Sequence, residues 1–147
     1  MRIPVLILIN FLMMLALGAC GSSEAPAQTA TVRLAAAPGR PAAGYLTLQI
    51  EGDRGALVSV TSPQAGRIEM HETISEGGMS AMRAIERIPV RDGETLAFTS
   101  GERHLMLFDV DPAVRAGGRI ELVLNFERGN PVTLAAEVAA PGEHVGH

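Results

Sequence analysis

The chain has 147 residues, enough for one domain with a short extension at each end. A formal net charge of -4 argues against a nucleic-acid binder, which carries a basic patch, and the near absence of aromatic residues (no Trp, one Tyr, four Phe) argues against stacking platforms for single strands. The single cysteine, Cys20, supports neither an internal disulfide framework nor a thiolate metal cluster.

The N-terminus reads as an export signal. Arg2 supplies the positive charge, Val5 to Leu17 is apolar apart from Asn10, and Leu17-Gly18-Ala19 places small residues before Cys20. The apolar run is short of the ~20 residues a membrane span needs. The Leu-Gly-Ala-Cys ending resembles the lipobox of bacterial lipoproteins. Residues 1–19 are therefore expected to be a lipoprotein signal peptide and Cys20 the lipidated residue. The alternatives are an ordinary signal cut near Ala19 or a short anchor helix. The expected location is the periplasm, with a lipid anchor in the envelope. Gly21, standing where Asp would signal inner-membrane retention, favours the outer membrane. Residues 20–30 (CGSSEAPAQTA) are small and polar and read as a flexible tether.

From Thr31 to Ala140 the texture is of short strands between Gly, Pro and Asp turns. Thr31 to Ala36, Tyr45 to Ile50, Ala56 to Thr61, Arg67 to Thr73, Met82 to Ile88, Thr95 to Thr99, His104 to Val110, Ile120 to Phe126 and Val132 to Val138 are the expected strands. Leu46, Leu48 and Ile50 form one apolar face, and Ile120, Leu122, Leu124 and Phe126 another. Asp111 to Ala116 is read as one helical turn. The pattern indicates an all-β antiparallel sandwich or barrel in a single domain, residues 31–140. Residues 141–147 (PGEHVGH) read as a disordered tail carrying His144 and His147.

Past residue 14, every methionine (Met70, Met79, Met82, Met106) lies between Met70 and Met106, and His71 and His104 lie there too. Thioether and imidazole are neutral ligands suited to Cu(I). A strand Met is more often core filler, and a lone His more often a hydrogen-bonded residue. Period-two geometry sorts the set: His104 and Met106 share a face, Leu105 and Leu107 turn to the core, and His71 stands opposite Ile68 and Met70. Met70 is then core. No nucleophile elbow, phosphate loop or HExxH motif competes, so no enzymatic activity is expected.

The spacing His71, ten residues, Met82, twenty-one residues, His104, one residue, Met106 resembles the H-x10-M-x21-H-x-M signature of periplasmic copper chaperones of the PCu(A)C type. The flanking His71-Glu72, Gly78-Met79-Ser80-Ala81-Met82-Arg83 and His104-Leu105-Met106-Leu107 segments are similar to that family, and the likeness spans about Thr31 to Val138. The resemblance implies a cupredoxin-like antiparallel β-sandwich with Greek-key connections. It implies one Cu(I) held by His71, Met82, His104 and Met106. It also implies, as partner, a copper-accepting protein of the respiratory haem-copper oxidase assembly pathway. The chain is expected to act as a monomer. Many relatives carry a further Met where this chain has Thr73 and another where it has Phe108, which leaves Met79 as an accessory candidate. His144 and His147 are candidates for a second, weaker copper site. The competing reading is a non-metal β-sandwich lipoprotein that serves as a binding or scaffold module of the envelope.

Overall fold

The computed structural model of the chain describes residues 28–144. The expected signal peptide, the lipidation residue Cys20, most of the expected tether and His147 lie outside the described residues. Ten strands form: β1 (Gln28–Arg33), β2 (Ala42–Gln49), β3 (Ala56–Thr61), β4 (Ala65–Glu76), β5 (Met79–Ile85), β6 (Ile88–Pro89), β7 (Thr95–Phe98), β8 (Arg103–Val110), β9 (Arg119–Phe126) and β10 (Val132–Ala139). Among the described residues there is no helix. The expected helical turn at Asp111 is an Asx turn instead, in which the Asp111 side chain accepts from the Ala113 amide at 2.7 Å.

The strands run in the order β5-β4-β8-β2-β1-β10-β9-β3-β6, with β7 added beside β2. Although β3 and β4 are far apart on this path, they come into contact, so the sheet coils round one core as a sandwich and does not lie flat. The expectation of an all-β sandwich holds, with one amendment. The sheet is mixed, because β1 pairs parallel with β10 while its other edge pairs antiparallel with β2. β1 also starts at Gln28, so Gln28 to Ala30, expected in the tether, are part of the sheet. These three residues have the backbone donors and acceptors that an open β2 edge takes up, and composition alone cannot show that.

Alternation produces the core. Leu46 and Leu48, together with Ile120, Leu122 and Leu124, are all at most 3% exposed, whereas the residues between them are half-buried or exposed. Gly44 lets β2 and β8 close up, since a Cβ there would stand 3.0 Å from Leu105 Cβ and 3.1 Å from Leu107 Cδ1. The β4–β5 hairpin turns on Gly77 and Gly78, whose φ values of 59° and 79° are both positive, as a two-residue type I′ turn requires. The two glycines thus make a tight hairpin, and β5 begins at Met79, three residues before the expected strand start at Met82.

Two ion pairs fasten the segment after β9, one to the connection before β6 and one to the loop before β3. Arg87 grips Glu127 with two bonds, of 2.7 and 3.0 Å, and Arg128 grips Asp53. Each guanidinium, chiefly through its hydrogen bonds, lowers the pKa of its partner carboxylate. The native carboxylates thus hold protons less tightly than the unfolded chain does. Stability from these pairs is complete above the ordinary carboxylate pKa and drains as pH falls through the depressed native values, below about pH 4. In urea titrations at pH 7 and pH 3, Arg87→Met is expected to lose less stability on acidification than the parent. An equal loss would contradict the assignment.

Candidate metal centre

β4 and β8 are antiparallel neighbours, and their register sets His71 directly opposite His104. The two rings lie with centroids 6.0 Å apart and planes tilted by 35°. Period two then fixes what shares their face. Met106 follows His104 by two residues on β8 and stands opposite Glu69 on β4. On the other flank of β4, Ala84 is opposite His71 and Met82 is opposite Thr73. Met82 and Met106 are thus both diagonal neighbours of His71, at the roughly 7–8 Å that such positions have in a sheet. The four expected ligands share one face of the β5-β4-β8 strip.

The other face of the strip takes the residues in between. Met70, Leu105 and Leu107 are buried, so Met70 is core as expected. Glu72 and Arg83, also on this face, form a cross-strand ion pair that fixes the β4–β5 register and with it the position of Met82. Met79 is an odd number of residues from Met82 and so projects from the face opposite the histidines. His144 is exposed beyond the end of β10, where it lines a cavity with Thr31 and Gly117. The structure brings neither Met79 nor His144 to the His71–His104 pair.

The histidines are more covered than a surface reading of His71 suggests. His104 is only 8% exposed, and the His71 side chain 15%. Each ring has one nitrogen engaged. His71 Nε2 lies 2.9 Å from a Glu69 carboxylate oxygen, and His104 Nδ1 lies 3.2 Å from the Glu102 carbonyl. That carbonyl also accepts from the Thr73 amide at 3.0 Å, tying β4 to the start of β8. The remaining nitrogens, His71 Nδ1 and His104 Nε2, are buried and have no hydrogen-bond partner among the described residues. A buried polar atom without a partner costs about 1–3 kcal/mol, and two on facing rings are the arrangement a metal ion would satisfy. Among the described residues no group of three or more His, Cys, Asp or Glu side chains is placed to hold a metal. The thioethers of Met82 and Met106 are the soft donors on the same face as the two rings. Met106 is half-buried, while Met82 is 64% exposed on the edge strand.

Sequence reasoning missed the partners of the two rings. The available signal was a repeated spacing, Glu69-x-His71 and Glu102-x-His104. The repeat is only partly informative: Glu69 uses its carboxylate, whereas Glu102 uses its backbone and gives its side chain to Thr99, at 3.0 Å.

Residues 27–138 match the family model described as "Putative lipoprotein LpqE-like". A protein of Leifsonia xyli subsp. xyli described as "Putative lipoprotein Lxx21020" is 32% identical over 85 residues, which is 56% of this chain and 50% of that protein. The chain spans about half the length of the curated relatives it matches. Among solved structures, a copper-bound PCuAC domain from PmoF2 superposes with a TM-score of 0.62 at 21% identity, over 80% of this chain and 97% of that one, a likeness of fold. The solution structure of Cu(I)-bound DR1885 from Deinococcus radiodurans matches with a TM-score of 0.58 at 28% identity, over 82% of this chain and 83% of that one.

Proposed function

We propose that this chain, which belongs to the LpqE-like lipoprotein family, is an extracytoplasmic Cu(I) chaperone whose cargo is held by His71, Met82, His104 and Met106. The observation that carries the reading is the pair of buried, unpartnered nitrogens, His71 Nδ1 and His104 Nε2, on the face that also holds Met82 and Met106. Neutral imidazoles and thioethers leave the bound ion with a single positive charge and match its softness. Outside the cytoplasm, thioethers form no disulfides, which favours them over thiols where the surroundings are oxidising. The copper-bound relatives of the same fold support the choice of metal.

The arrangement suits transfer. Three donors sit on the interior strands β4 and β8, and the fourth, Met82, stands exposed on the edge strand β5, where an incoming ligand can replace it. The recipient in this reading is a copper-accepting protein on the assembly route of a haem-copper oxidase. The protein works as a monomer that carries copper and performs no catalysis. Residues 1–19 are removed, Cys20 carries the lipid, and the anchor lies in the outer membrane. The lipoprotein names of the family and of the Leifsonia relative support an anchored envelope protein.

Anaerobic Cu(I) competition titration of the chain lacking residues 1–19 tests this and is expected to give one equivalent bound. Met82→Ala is expected to weaken binding by about tenfold or more, equivalent to about 1.4 kcal/mol. Because Met82 is exposed, its loss is expected to leave stability within about 0.5 kcal/mol. Met79→Ala serves as control, with affinity unchanged. Equal effects of the two substitutions, or no stoichiometric binding, would contradict the proposal.

A further inference from the structure

His71 and His104 face each other across one strand pair, yet their engaged nitrogens differ: Nε2 in His71 and Nδ1 in His104. A backbone carbonyl only accepts, so His104 carries its proton on Nδ1 and keeps the Nε2 lone pair free. The Glu69 carboxylate is an acceptor in the same sense. Its other oxygen is taken by Arg67 Nε at 2.9 Å, and the Arg67 guanidinium lies over the Phe108 ring, 4.3 Å from its centroid. Phe108, Arg67, Glu69 and His71 thus form a relay along the rim of the site.

We propose that Glu69 is a positioning residue, braced by Arg67, that fixes His71 as the Nε2–H tautomer, so that the metal is held by His71 Nδ1 and His104 Nε2. The metal half of this statement rests on the copper reading above; the tautomer half does not. Both lone pairs so defined are the buried nitrogens left without partners, which is the state a ligand nitrogen must have before an ion arrives. Partners behind a ligating His orient the ring and select the tautomer, and losing one typically lowers metal affinity 10–100-fold. A Gln at position 69 can still accept from Nε2–H through its amide oxygen, whereas Ala cannot.

Long-range 1H–15N correlation NMR on the 15N-labelled chain, apo and Cu(I)-loaded, tests this. In the apo protein His71 is expected as the Nε2–H tautomer and His104 as Nδ1–H. On loading, the largest 15N shifts are expected at His71 Nδ1 and His104 Nε2. Glu69→Ala is expected to mix the His71 tautomers and weaken Cu(I) binding by about 10–100-fold, and Glu69→Gln to restore both. An Nδ1–H tautomer at His71 in the apo protein overturns the proposal, as does Glu69→Ala leaving tautomer and affinity unchanged. Absence of Cu(I) binding would remove the copper reading while the apo spectrum still decides the tautomer.

Discussion

His104→Ala is expected to lower Cu(I) affinity by more than 100-fold, beyond the roughly 10–100-fold that loss of a supporting partner costs. His104 is the most buried of the four proposed donors, is locked at Nδ1 by the Glu102 carbonyl, and faces His71 at a centroid distance of 6.0 Å. His71 is the one imidazole that faces it across the strand pair. The cost to the apo fold is expected to be smaller than that of truncating a buried leucine. The deleted ring carries the unpartnered Nε2, whose burial itself costs about 1–3 kcal/mol. Competition titration and urea unfolding of the same variant separate the two effects. Affinity within tenfold of the parent would show that His104 is not a ligand.

The second large effect is on stability. Leu105→Ala is expected to cost about 2–5 kcal/mol, the range for a buried leucine. Against the 5–15 kcal/mol typical of a domain, this is a large fraction. Leu105 is fully buried, pairs with Met70 on one side and Gly44 on the other, and lies under the closest approach of β2 and β8. The close approach leaves little room for the cavity to collapse. Because Leu105 separates His104 from Met106, the variant is expected to bind Cu(I) more weakly as well, through looser pairing of β4 with β8. Equilibrium urea unfolding at pH 7 measures the first effect. A loss below about 1 kcal/mol would contradict the packing described here.

The contrast between Leu105 and its neighbours shows what the sequence made legible. Alternation in β8 assigned Leu105 and Leu107 to the core and His104 and Met106 to the other face, and the structure agrees. The side-chain period of a strand is set by the backbone, so such assignments follow from local sequence. The pairing of His71 with His104 depends on a register between strands more than thirty residues apart, and no local pattern contains it. The same limit hid the parallel β1–β10 pair and the recruitment of Gln28 to Ala30 into the sheet. The Gly77-Gly78 dipeptide forms a tight turn that its composition does not announce, because two glycines permit a slack loop as readily as a hairpin. Met79 and Met82 look alike in composition, and their odd spacing separates them only once both are known to lie on one strand.

X-ray absorption spectroscopy of the Cu(I)-loaded chain tests the central claim most directly. The expected result is one copper per chain with two nitrogen and two sulfur neighbours, and loss of one sulfur in Met106→Leu. A shell of sulfur alone, or a two-nitrogen, two-sulfur shell that persists unchanged in Met106→Leu, would contradict it.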